Sequence, residues 1–106
     1  VPALRERFRA TLKATSANTI RDSYDPMGRI IFGRPDALAQ LGGLCSERTI
    51  VVCGDQDIPR PPAEANEMAQ IINCLAAQIP VAGHISCLEN PEVVNQFLLN
   101  WLPRHC

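Results

Sequence analysis

The sequence predicts an α/β chain in which helices precede a parallel sheet. Three observations carry that prediction. Thr49-Ile50-Val51-Val52-Cys53 is apolar without alternation, the pattern of a strand covered on both faces in a parallel sheet. Pro61-Pro62 then open a segment with Ala65, Met68, Ala69 and Ile72 on one helical face. The closing run carries two adjacent apolar rows, Val93-Phe97-Trp101 and Val94-Leu98-Leu102, a broad face that needs a sheet beneath it.

At 106 residues the chain has the length of one domain. Its density of Leu, Ile and Val disfavours disorder. A net charge of −1 gives no electrostatic case for a nucleic-acid partner. No apolar run approaches the roughly 20 residues that span a bilayer, so no membrane partner is expected. Near the start, Arg5, Arg7, Arg9 and Lys13 are interleaved with Leu4, Phe8 and Leu12, and no apolar block of a signal peptide follows. The first residue is Val1, which suggests a fragment or a processed product. Five cysteines (Cys45, Cys53, Cys74, Cys87, Cys106) form no C-x-x-C pair and read as reduced thiols of a cytoplasmic protein.

In order, residues 3–15 form a helix with Leu4, Phe8 and Leu12 in one stripe and Pro2 at its start. The basic residues off that stripe read as a solvated face. Ser16 caps a second short helix reaching about Tyr24. Asp25-Pro26-Met27-Gly28 reads as a turn. Ile30, Ile31 and Phe32 form an apolar patch ended by Gly33. Pro35-Asp36 open a short helix with Leu38, Leu41 and Leu44 facing one way, and Gly42-Gly43 end it. The strand at 49–53 is closed by Gly54. Asp55-Gln56-Asp57 fall past its C-terminal end, where catalytic groups gather in open α/β sheets. The helix from Pro62 holds Glu64 and Glu67 in its first turns, where its dipole favours them. Residues 73–82 read two ways. Propensity extends the helix to Gln78; the rival is a turn at Asn73-Cys74 and a short strand at 75–79. Pro80 stops either. Asn90 caps the last helix, Pro91 takes its first position and Pro103 ends it.

Two residues carry candidate chemistry. His84, on the turn Gly83-His84-Ile85-Ser86, can exchange a proton near neutral pH. Asp57 can hold the other ring nitrogen, fixing the tautomer and stabilising the imidazolium. If 75–79 is a parallel neighbour of 49–53, joined by the 62–72 helix as a right-handed crossover, both reach the same sheet edge. Asp55 is the rival acid, but directly after Gly54 it reads as a cap of the loop. The plain alternative is a solvated histidine and a turn-forming aspartate. Metal binding is a further alternative, with Cys74, His84, Cys87, His105 and Cys106 as soft ligands, but their spacing forms no recognised zinc frame. Cys87, three residues past His84, reads as a packing residue rather than a nucleophile. No cofactor or metal is expected.

These residues resemble the C-terminal part of the α/β-hydrolase superfamily, the lid-bearing hydrolases similar to 3-oxoadipate enol-lactonases and carboxylesterases. The resemblance rests on Thr49–Asp57 followed by Pro61-Pro62, on Ala82-Gly83-His84-Ile85-Ser86, and on Leu88-Glu89-Asn90-Pro91-Glu92 with the helix to Leu102. It implies strand–helix–strand–helix, with 75–79 a strand against local propensity, residues 31–106 as core and 1–30 as the tail of a helical lid. It implies Asp57 as triad acid and His84 as base in the hydrolysis of a small ester or lactone. The family's Gly-x-Ser-x-Gly nucleophile turn is absent from these 106 residues. The chain therefore reads as part of a hydrolase, inactive alone, that associates with the missing N-terminal half or with copies of itself. The alternative is a non-catalytic remnant serving as a structural or interaction module.

Overall fold

The computed structural model describes residues 2–105. They fall into two units, Val1–Asp36 and Ala37–Cys106. The first holds two helices, α1 (Pro2–Ala14) and α2 (Ala17–Gly33). Ser16 caps α2, its Oγ accepting the Thr19 N–H at 3.2 Å. The helix does not stop near Tyr24. It runs through the expected turn at Asp25–Gly28 and takes in Ile30–Phe32. Pro26 removes a single donor, the one that Asp22 would have received. Asp22 is exposed, so water can hydrate its carbonyl. An Asp25–Arg29 ion pair at 3.2 Å spans the proline.

The second unit begins with two 3-10 turns, Leu38–Gly43 and Ser46–Arg48. The short helix expected after Pro35-Asp36 is thus the tighter form and starts at Leu38. The unit continues with β1 (Ile50–Gly54), α3 (Pro62–Ile72), β2 (Leu75–Ile79), α4 (Ser86–Glu89) and α5 (Pro91–His105). The strands pair in parallel, in register from Ile50 opposite Leu75 to Gly54 opposite Ile79. This is a mixed α/β arrangement around a two-stranded parallel sheet.

The strand at 75–79 exists because α3 is stopped before it. Asn73 adopts a left-handed conformation (φ 60°). Its N–H donates to the Gln70 carbonyl at 3.2 Å, and the Cys74 N–H reaches the Ala69 carbonyl at 2.9 Å. These two bonds satisfy carbonyls that the helix end leaves open, and asparagine tolerates the backbone they need. Ala65, Ala69 and Ile72 of α3 are buried, with Ile79 and Ala82 completing the core. Met68, expected on the same face, is only half-buried. Burying Ile79 contributes about 2 kcal/mol.

The expectation that the first strand is covered on both faces fails among the described residues. Val52 is 38% exposed and Gly54 is the only fully buried position of β1. In α5, Phe97 and Trp101 are half-buried, but Leu98 and Leu102 remain exposed. Pro103 does not end this helix, which runs to His105. It removes one bond, toward the Leu99 carbonyl, where Leu99 is itself exposed.

Gly54 is the most closely enclosed of the glycines. A methyl group there would meet the carbonyl oxygens of Ala82 and Gly83 and sit 2.6 Å from the Ala82 carbonyl carbon. These are backbone atoms and cannot turn aside. Gly54→Ala should therefore lower stability by about 3 kcal/mol, read as a fall in the urea midpoint. Val81 is the opposite case. It holds a left-handed φ of 54° while 70% exposed. A β-branched residue there is strained, and little packing is lost by replacing it. Val81→Asn should raise stability by about 1 kcal/mol in the same assay.

Candidate active site

Asp57 and His84 lie 27 positions apart and meet past the C-terminal ends of β1 and β2. The His84 Nδ1 is 2.9 Å from Asp57 Oδ2 and 3.2 Å from Oδ1. The route is local at both ends. After Gly54 the chain turns tightly, the Asp57 N–H donating to the Gly54 carbonyl at 3.3 Å. After Ile79, residues 80–85 cross over Gly54 and are tied down in sequence. The Gln56 N–H donates to the Ala82 carbonyl at 2.9 Å. The Ala82 N–H donates to Asp55 Oδ1 at 3.3 Å. Asp55 is thus the residue that joins the two loops, and Asp57 is the one that reaches the imidazole.

The two side chains differ sharply in exposure. That of Asp57 is 6% exposed and that of His84 is 55% exposed. Asp57 Oδ1 also accepts the Arg60 N–H at 2.9 Å. Burial pushes the Asp57 carboxyl up. The hydrogen bonds from His84 and the Arg60 N–H, with the positive charges of both residues, outweigh it and hold the carboxyl below the ordinary range. An ionised Asp57 can only accept a hydrogen bond, so the ring carries its hydrogen on Nδ1, which in the neutral imidazole leaves Nε2 on the far side as the proton acceptor. A buried anion and an oriented, half-exposed imidazole together form an acid–base unit able to take a proton from a nucleophile placed at Nε2.

Further residues hold this loop that the sequence reading did not single out for it. Glu89 Oε2 accepts the N–H of Gly83 at 2.9 Å and of Ile85 at 3.2 Å. The side-chain amide of Asn90, expected to serve as a helix cap, donates to the Pro80 carbonyl at 2.8 Å. The available signal was an acid and an amide side by side one short turn after Gly-His, ahead of Pro91.

Cys53, the cysteine on the strand that leads to Asp57, is poorly suited to act as a nucleophile. Burial, then the charges of Asp57 and Asp55, push the Cys53 thiol up, which disfavours the thiolate. Cys87 is exposed rather than packed. Cys45, Cys53, Cys74 and Cys87 are all free. Among the described residues no three His, Cys, Asp or Glu side chains are placed to hold a metal ion; Cys106 lies outside them. Two concavities of about 370 Å³ sit at the other end of the strands, one of them bordered by Thr49, Cys74, Trp101 and His105. His105 Nδ1 is buried without a hydrogen-bond partner, and its ring meets Trp101 edge-on at 4.6 Å. Among the described residues no helix is long and apolar enough to cross a membrane.

Comparison with family models, with curated proteins and with solved structures finds no match to this chain.

Asp57 titrates lower in the folded chain than an ordinary carboxyl near pH 3.9. The folded state therefore binds that proton less readily than the unfolded chain. Its stabilising contribution should be complete above about pH 4 and lost as pH falls through the lower folded value. Urea midpoints of the native chain and of Asp57→Asn should differ at pH 6 and converge toward pH 2.5. A constant gap across that range contradicts the assignment.

Proposed function

We propose that this chain supplies the acid and the base of a nucleophile–acid–histidine hydrolase acting on small esters or lactones. Asp57 is the acid and His84 the base. The observation that carries the reading is the 2.9 Å contact between a buried carboxylate and a half-exposed imidazole at the C-terminal end of parallel strands. The order strand–helix–strand–helix around that contact, and the sequence likeness to the C-terminal portion of α/β-hydrolases, support it. In this reading residues 1–30 belong to a helical lid and residues 31–106 to the core.

The nucleophile and the oxyanion-hole donors come from residues outside these 106, since no Gly-x-Ser-x-Gly occurs within them. His84 Nε2 takes the proton of that nucleophile as it attacks the acyl carbon, and returns it to the leaving alcohol. Asp57 stabilises the imidazolium between the two steps. The missing half, or another copy of the chain, covers the apolar surface left open on β1 and α5. The free thiols suit a cytoplasmic setting.

The second reading is a non-catalytic remnant used as an interaction module. The absence of a nucleophile motif favours it. Hydrolysis of a chromogenic ester separates the two, measured on this chain and on a longer parent that contains it. The parent is expected to turn over. His84→Ala or Asp57→Asn in the parent should each lower kcat by about 10^4-fold. Full activity in the parent carrying His84→Ala would falsify the first reading, and turnover by these 106 residues alone would exclude the second.

A further inference from the structure

The loop that presents His84 is held from an unexpected side. Asp57 contacts the imidazole ring, but the backbone on either side of His84 is held by Glu89. A single oxygen, Oε2, accepts both flanking N–H groups, Gly83 at 2.9 Å and Ile85 at 3.2 Å. Bonds from a backbone N–H to a carboxylate are about twice as strong as neutral ones. The Ala82–Gly83 peptide and the His84–Ile85 peptide are thus tied to one point, which restricts the backbone that carries His84 and the directions its side chain can take toward Asp57.

The surroundings are built for this contact. A methyl group on Gly83 would lie 3.1 Å from Glu89 Oε2, so a side chain there would press the carboxylate back by a few tenths of an ångström. Glu89 is half-buried, and its own N–H returns to the Ile85 carbonyl at 3.1 Å. That bond closes the single turn of α4 and places Glu89 beneath the loop it holds. Asn90 and Asp55 fix the loop further back, at Pro80 and Ala82. Among these ties, Glu89 is the one whose bonds bracket His84.

We propose that Glu89 is a positioning residue for His84, which sets the imidazole so that its Nδ1–H points at Asp57 and Nε2 is free to accept a proton. The proposal rests on the reading of His84 as a base, but its test needs no substrate, so a failure to find hydrolysis leaves it standing.

The test is the ring ¹⁵N spectrum of His84 in the whole chain, taken where the imidazole is neutral. The native chain should show mainly the Nδ1–H tautomer. Glu89→Ala should shift the tautomer ratio toward Nε2–H by about five- to tenfold, the ratio set by one ordinary hydrogen bond. Glu89→Gln should restore it, because the amide oxygen can accept the same two N–H groups. The amide signals of α3 and β2 should stay in place in both variants. An unchanged tautomer ratio in Glu89→Ala overturns the proposal. So does a Gln variant no better than the Ala one. Collapse of the α3 and β2 amide signals in both overturns it as well, by making Glu89 a general support of the fold.

Discussion

The backbone of residues 82–83 passes over Gly54 so closely that no side chain fits between them, and the rest of the site follows from that crossing. It brings the chain leaving β2 across the chain leaving β1. The Gln56 N–H and the Asp55 carboxylate can then take hold of Ala82, and His84 arrives beside Asp57. The register of the two strands puts Gly54 opposite Ile79, which is the most deeply buried large residue of the unit. The packed core and the polar site therefore share one boundary. A change at Gly54 strikes both. The strain at Val81 has the same origin, since a chain that must cross there and be tied down at Pro80, Ala82 and Gly83 has few ways to turn.

Much of this was legible in the sequence. The strand at 49–53 was evident from four consecutive apolar residues, and the last helix from its two rows. The turn chemistry of Gly-Asp-Gln-Asp and of Gly-His placed the acid and the imidazole at strand ends. The strand at 75–79 was harder. Leu75-Ala76-Ala77-Gln78 favours helix, and what overrides it is Asn73, whose left-handed turn closes α3 through bonds to Gln70 and Ala69. The prolines misled in the other direction. Pro26 and Pro103 read as boundaries, yet each lies inside a helix. A proline on a solvent-facing side forfeits one bond, and water hydrates the carbonyl that would have received it. Composition does not reveal which side of a helix faces water.

The contact made by Glu89 was hidden for a different reason. Its role depends on backbone donors four and six residues before it, brought round by a one-turn helix. No periodicity marks such a contact. An acid in the first turn of a short helix is ordinarily explained by the helix dipole, and that sufficient explanation conceals the second one. Asp55 illustrates the converse. Its position directly after Gly54 suggested a loop residue, and the structure puts it on the Ala82 N–H. Each of the two acids sits in the tight turn after β1, and each reaches a partner 27 residues on in the loop after β2.

The surface of the second unit bears on what covers it. Each strand of a two-stranded sheet has one unpaired edge, and parallel sheets are ordinarily buried on both faces. Val52 and Leu75 are exposed on the strands, as are Leu98, Leu99 and Leu102 on α5. Exposed strand edges recruit further strands, because their N–H and C=O groups are already spaced for pairing. Under the proposed function, the chain that brings the nucleophile would also be the chain that covers these edges and leucines.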